Sequence, residues 1–358
     1  MKITRIEAFQ IETPRYYGHV SGHVIVKVYV DDGPVGLGEA SDSRADDLGI
    51  ITTRYNELLV GWDATRITEI NELLRAQDFG SSVSNRHLAS AIDLALYDLN
   101  GKVQGVPAYG LMGGKVRERI YCCYPIFGWQ VREDFEQAAG YLQRMVDLGH
   151  NLFRYYVSGD SELDDQFLIQ MQSRFGEQIR LKQIDFSGRF KDWETALHYA
   201  DVLRHHEPYH FEQPSRDLQV CVEFTKRMDL PVSLHISDLE YGYEVAERAA
   251  CTVFNVACVS GGPTHIRRLF ALAEAAGIGC LIGTDQESTL GTAAQVHLGV
   301  SMPNLDLPCD PMGPVLYTAS PAKERIRAEA SYLYPPDGPG LGVELDEDKM
   351  KQLTVASA

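Results

Sequence analysis

No stretch of this chain is apolar for long enough to cross a bilayer, which takes about 20 residues. The opening Met-Lys-Ile-Thr-Arg-Ile-Glu-Ala-Phe alternates polar and apolar residues like a strand, where a signal peptide would have an unbroken apolar core. Basic residues are scarce: 33 Lys and Arg stand against 50 Asp and Glu, a formal charge of −17. No basic patch interrupts that excess, which argues against nucleic acid and anionic membrane as partners. The chain also lacks a Gly-x-Gly-x-x-Gly after an early strand and a Gly-x-x-x-x-Gly-Lys-Ser/Thr loop, so a nucleotide-binding fold has little support. Its seven cysteines are scattered, and the adjacent Cys122-Cys123 lacks the spacing of a zinc site. Buried thiols in a reducing cytoplasm are the expectation, Val256-Ala257-Cys258 being a typical apolar setting.

What is present reads as two domains, for which 358 residues leave room. Residues 2–12 and 23–31 have strand character, and Asp31-Asp32-Gly33 turns the second into Val35-Gly36-Leu37-Gly38-Glu39. Helical patterns follow near 45–59, 65–76 and 84–104; the last puts Leu88, Ile92, Ala95, Leu96 and Leu99 on one face, with Ser84 placed to cap it. A meander followed by helices is α+β. From about residue 119 short apolar runs alternate with amphipathic helical stretches. The runs lie near 119–126, 151–157, 179–185, 208–212, 230–238, 252–258, 278–283 and 304–308. Eight such units predict parallel strands closed into a (β/α)8-type barrel. The reading is therefore a barrel over 119–324 and a capping domain over 1–118. Residues 325–358, with their Pro335-Pro336-Asp337-Gly338-Pro339-Gly340, return to complete the cap.

Barrel enzymes keep their chemistry at the C-terminal ends of the strands. The third run ends in Asp185, the fourth in Glu212 and the fifth in Asp238, one βα unit apart in each case. Three carboxylates facing one mouth repel each other unless a cation neutralises them. An all-oxygen set with open positions suits Mg²⁺ or Mn²⁺. Acids at these places also cap the helices that follow, which is the competing structural reading.

Several segments resemble the mandelate racemase and muconate lactonizing branches of the enolase superfamily. They are Ala91-Ile92-Asp93-Leu94-Ala95-Leu96-Tyr97-Asp98-Leu99-Asn100-Gly101-Lys102, Asp185-Phe186-Ser187-Gly188, Glu212-Gln213-Pro214, and Gly283-Thr284-Asp285-Gln286-Glu287-Ser288-Thr289. Gly261-Gly262 and Pro339-Gly340-Leu341-Gly342-Val343-Glu344 match as well, so the likeness spans nearly the whole chain. It implies a (β/α)7β barrel with an α+β cap and a homo-oligomer in the cytoplasm. It further implies abstraction of a proton beside a carboxylate, with a metal ion holding the resulting enediolate, as in a dehydratase, racemase, epimerase or cycloisomerase. By the same resemblance Asp185 and Glu212 are metal ligands. The third falls at Asp238 when counted back from the next helix and at Ile236 when counted from Pro231; Asp238 can bind a metal, and His235 is the alternative.

The resemblance fails at the bases. Muconate-lactonizing-like members carry Lys-x-Lys at the second strand and a Lys at the sixth. Here Arg154 and Tyr156 replace the pair and Val256 stands at the third position. The racemase-type Asp–His pair is missing too, Val256 and Gly283 occupying its places. Mannonate dehydratase relatives are similar in using a Tyr–Arg pair, which makes Tyr156 the candidate base, ionised by Arg154, with Asp285 next. Substrate contacts are expected from Tyr17 and His19 in the loop Pro14-Arg15-Tyr16-Tyr17-Gly18-His19-Val20-Ser21-Gly22, from Phe79-Gly80-Ser81-Ser82-Val83, and from Glu287. The alternative to an enzyme on a small carboxylate is a silent metal- or ligand-binding barrel.

Overall fold

A computed structural model describes residues 1–41, 47–77, 79, 85–257 and 260–357. Gly80 to Ser84 and Cys258 lie outside those residues. The chain starts as an antiparallel meander of β1 (Ile3–Pro14), β2 (Val20–Val30) and β3 (Gly36–Ser41). Pairing runs from Ile3↔Val30 to Pro14↔Val20 and from His23↔Ser41 to Val28↔Gly36. Against one face pack a π-helical turn at Ile50–Tyr55, α1 (Ile67–Arg75) and α2 (Asn85–Gln104). Gly36 and Gly38 set how near α2 comes: a Cβ at either would collide with the backbone carbonyl of Ala95 or Ala91. The run of small residues on α2 is what lets a helix lie that close to a strand.

The second region is a parallel sheet of seven strands in sequence order: β4 (Tyr124–Phe127), β5 (Leu152–Tyr156), β6 (Arg180–Asp185), β7 (His210–Glu212), β8 (Val232–His235), β9 (Val253–Val256) and β10 (Gly279–Ile282). Helices α3 (Phe135–Asp147), α4 (Ser161–Phe175), α5 (Trp193–Leu203), α6 (Leu218–Arg227), α7 (Leu239–Glu247) and α8 (Gly262–Ala276) connect them, and α9 (Thr289–Ser301) follows. The eighth strand expected at 304–308 is not a regular strand. Pro303 and Pro308 remove ladder donors there. The segment 306–310 nevertheless bonds to both open edges. Asp306 N and Asp310 N donate to Cys280 O and Ile282 O at 3.0 and 2.9 Å, while Cys309 N donates to Tyr121 O at 2.7 Å and Cys123 N to Cys309 O at 3.0 Å. The ring is thereby closed, giving the (β/α)7β arrangement.

Helix α9 is buried along its whole length, as a helix held between two layers must be. The proline-rich tail lies against α2, with Leu341 N donating to Asp98 Oδ1 at 2.8 Å and Ala108 N to Gly340 O at 2.6 Å. A last strand, β11 (Thr354–Ser357), pairs with β1.

Candidate active site

Asp185 and Glu212 end adjacent parallel strands and stand opposite each other in the β6–β7 ladder, with Tyr156 beside Asp185 across β5–β6. They are at most 2% exposed. A cavity of about 460 Å³ opens over them, lined by Tyr156, Asp185, Ser187, Gln213, His235, Thr284, Asp285 and Gln286 from the barrel and by Arg15 and His19 from the β1–β2 turn. Three lining residues, Ser187, Gln213 and Gln286, have left-handed backbones (φ 53°, 44° and 61°), half of the six non-glycine residues so placed among the described residues. Such strain collects where side chains must be aimed. Ser187 offers its N–H (2.7 Å) and hydroxyl (3.2 Å) to Asp185 Oδ1, and Gln213 accepts the His235 backbone N–H at 2.9 Å.

Glu212 is the more heavily bonded acid. Its Oε2 accepts from Gln183 and from Ser233 Oγ (3.3 Å), while its Oε1 lies 2.9 Å from His235 Nε2. Burial opposes its charge, but the contacts with His210 and His235 outweigh it and hold the carboxyl well below its usual range. Asp185 is pushed the other way, to about 7, by burial and then by Glu212. Two carboxylates with opposed shifts are what a shared, under-neutralised charge produces.

The other expected residues divide. Asp285 and His19 reach the cavity. Tyr17 turns away into an aromatic cluster with Phe127, Trp129 and Tyr141, its hydroxyl accepting from Arg15 at 2.7 Å. Glu287 is 1% exposed and is bound by Thr284 Oγ1 and Asp285 N (3.2 Å), so it shapes the loop rather than lining the cavity. Asp238 is not brought to the acid pair. It caps α7, accepting from Tyr241 N at 2.8 Å, and pairs with Arg86 at 2.9 Å. His235, three residues earlier, takes the place in the cavity. Arg154 does not keep Tyr156 ionised either: its guanidinium lies over the ring, 4.7 Å from the centroid, and is 3.4 Å from Asp310. Burial drives the Tyr156 phenol well above its ordinary value, which the arginine only partly offsets and which Asp185 and Glu212 reinforce. Its resting state is the protonated one.

Sequence comparison matches residues 12–113 to the mandelate racemase/muconate lactonizing enzyme N-terminal domain and residues 137–349 to the enolase C-terminal domain-like family. The chain belongs to the enolase superfamily, in its mandelate racemase and muconate lactonizing branch. Muconate cycloisomerase 1-1 of Acinetobacter lwoffii is 30% identical over 378 residues, covering 98% of this chain and 96% of that one. Chloromuconate cycloisomerase of Pseudomonas putida is 26% identical over 90% of this chain and 89% of its own. Among solved structures, muconate lactonizing enzyme from Pseudomonas fluorescens complexed with muconolactone superposes with a TM-score of 0.89 at 25% identity, covering 99% of both chains.

Enzymes of this superfamily generally depend on a divalent cation. The donor chemistry here fits one: two carboxylates, Asp185 and Glu212, are buried side by side, Asp185 is pushed up to about 7 by burial and by Glu212, and the imidazole of His235 stands 2.9 Å from Glu212 Oε1. Two carboxylates buried together repel each other unless a cation meets them. The enzyme's cap is keyed to the same mouth through Glu39. This buried acid accepts from Ser288 N (2.5 Å), Ser288 Oγ (2.9 Å) and Gly291 N (2.9 Å) at the start of α9, with His23 Nδ1 at 3.1 Å. Burial would raise its pKa, yet His23 and the helix N–H groups keep it below the usual value. No signal in the sequence set Glu39 apart from an ordinary strand residue.

Proposed function

We propose that this enzyme is a cycloisomerase of a small dicarboxylate, closing a lactone by internal addition of one carboxylate to a double bond conjugated with the other. The observation that carries the reading is the cavity's polarity. Asp185 lines one wall with Glu212 buried beside it, the protonated Tyr156 is on the neighbouring strand, and Arg15 and His19 enter from the cap. The relatives that cover nearly the whole chain are muconate and chloromuconate cycloisomerases.

Asp185 and Glu212 would hold a divalent cation, which would supply positive charge beside the carboxylate on which electrons accumulate. Arg15 suits the second carboxylate: Ser21 Oγ (2.6 Å) and Tyr17 OH (2.7 Å) fix the guanidinium in the mouth. Ring closure forms a C–O bond at one end of the double bond and places charge at the other. Tyr156 O–H then delivers a proton to the carbon beside the carboxylate and regains one from solvent. The net change is an isomerisation plus one proton, with no other reactant. A phenol that rests protonated suits proton delivery, and it replaces the role of base expected of Tyr156. Free, buried thiols at the six described cysteines agree with a cytoplasmic setting.

The test is incubation with cis,cis-muconate in deuterated water with a divalent salt. Loss of the diene's ultraviolet absorbance, with one deuterium beside the lactone carboxylate, is the expected result. The absence of both muconate turnover and deuterium exchange into muconolactone would overturn the reading.

A further inference from the structure

We infer that Asp165, His205 and His206 form a separate metal site among the outer helices of the barrel, for Zn²⁺ or another borderline first-row cation. The inference does not depend on the proposed reaction, since none of the three lines the cavity at the strand ends. Asp165 stands on α4, and the two histidines lie in the single turn Arg204–His206 that follows α5. Their donor atoms all lie within 4.8 Å of one another, and no other three His, Cys, Asp or Glu come that close among the described residues. Asp165 Oδ1 is 2.9 Å from His206 Nε2 and 3.1 Å from His205 Nε2.

Those spacings alone would suit ion pairs as well as one bound ion. The hydrogen bonding of His206 separates the two. Its Nδ1 lies 2.8 Å from Gln172 Oε1, an atom that can only accept, so Nδ1 carries a proton. Gln172 is not free to turn round, because its Nε2 donates to His206 O at 3.2 Å. A neutral ring with its proton on Nδ1 presents a bare lone pair at Nε2. That lone pair faces the Asp165 carboxylate, so two acceptors meet with no proton between them. A second proton on His206 or a metal ion must resolve the contact. The proton is disfavoured: the residue is 2% exposed, and burial lowers its pKa, which Asp165 offsets only in part. His205, with its ring centroid 4.0 Å away, opposes a charge there as well.

A metal ion needs no such proton. Histidine ligands commonly give their other N–H to a carbonyl or carboxylate, which is what Gln172 receives. Two nitrogens and one carboxylate oxygen suit Zn²⁺, Co²⁺, Ni²⁺ or Cu²⁺ better than Mg²⁺ or Ca²⁺. His205 is exposed, so the remaining positions on the ion open to solvent. Held by α4 and by the turn after α5, the ion ties together the helices that precede and follow β6, the strand ending in Asp185.

The test is calorimetric titration of the metal-stripped full chain with ZnCl₂, excess MgCl₂ occupying the mouth. Thermal melts accompany it, because an ion bound by the native state alone raises the melting temperature. His205→Ala removes an exposed ligand and should weaken one Zn²⁺ per chain by about tenfold or more, with a smaller rise in melting temperature. Gln172→Leu touches no ligand but frees the His206 ring, and should weaken the same ion by about tenfold. Packing alone at Gln172 would not move Zn²⁺ affinity. Affinity unchanged in either variant, or no Zn²⁺ uptake by the parent, overturns the inference.

Discussion

Beneath the cavity, Lys182 and Arg154 converge on Asp310, at 2.5 and 3.4 Å, and Cys123 Sγ donates to the same acid at 3.1 Å. All four side chains are sealed from solvent. One step along the same strands, Asp185 lines the cavity with Glu212 buried beside it, and His235 is the cavity-lining side chain that pairs with Glu212, at 2.9 Å. The lower cluster sets two cations on one carboxylate, all inside the protein. The upper one is left with carboxylate to spare. Ion pairs closed within a barrel interior are architecture, and a carboxylate that lines a cavity at the strand ends is where an incoming charge can bind.

The largest effect should come from the residue between these levels. Tyr156→Phe keeps the ring's stack on Phe127, 4.8 Å between centroids, and removes only the hydroxyl. Turnover and deuterium incorporation should fall by about 10²–10⁴-fold with cation binding retained. Incorporation within a few-fold of the parent rate would move the proton to Asp285, which shares the cavity.

The two clusters should respond oppositely to loss of one charge. Asp310→Asn leaves Lys182 and Arg154 as two unpaired like charges in a closed interior and should cost about 3–5 kcal/mol in urea unfolding. Asp185→Asn relieves repulsion with Glu212, so the metal-free protein should be as stable as the parent or more so, while the cation-induced rise in melting temperature disappears. Equal destabilisation by both would erase the distinction drawn between them.

How much of this could be read from sequence follows from which residues have a single use. Asp185 and Glu212 were legible because strand-end acids one βα unit apart share a mouth, and the Asp-x-x-Gly and Glu-Gln-Pro contexts fixed their place. Asp238 misled because an acid just after a strand serves equally as a helix cap, and capping won. His235 was kept only as the alternative third ligand, since a strand histidine is more often packed than exposed to a cavity. Arg154 and Tyr156 were rightly placed side by side, but which part of the tyrosine the guanidinium would face is a matter of packing, invisible to spacing. The barrel was legible from its alternation. Its last segment was not, because prolines keep 306–310 extended without a regular ladder.

Glu39 and Asp93 carry the comparison into the interface between cap and barrel. Both are buried acids that accept backbone N–H groups at the start of a barrel helix. Glu39 has two such bonds, a third from the Ser288 hydroxyl and His23 beside it, and its charge is favoured. Glu39→Gln should cost about 2 kcal/mol by urea unfolding, the upper range for a charge at a helix N-terminus. A cost near zero would mean that the hydrogen bonds, not the charge, hold the cap.

Asp93 is the under-compensated counterpart. Its Oδ2 accepts from Thr264 N at 2.9 Å, but its Oδ1 is buried without a hydrogen bond. Burial raises its pKa to about 7, the Thr264 bonds, Asn71 and Arg75 opposing only in part; Tyr97, the other titratable neighbour, stays neutral there, its own pKa being raised by burial and by Asp93. A carboxyl whose folded pKa lies above its unfolded value of about 3.9 holds a proton in the folded state that the unfolded chain has released. Its contribution is full below pH 4 and is lost as pH rises through 7. Between pH 6 and pH 8 the loss from this one group is about 1.4 kcal/mol. Asp93→Asn keeps an acceptor for Thr264 N and cannot titrate, so its stability should lack that decline and exceed the parent's at pH 8. Matched urea curves at the two pH values decide it: parallel losses in parent and variant would show that Asp93 is already ionised at pH 6, and that the helix start at Gly262 compensates it as fully as α9 does Glu39.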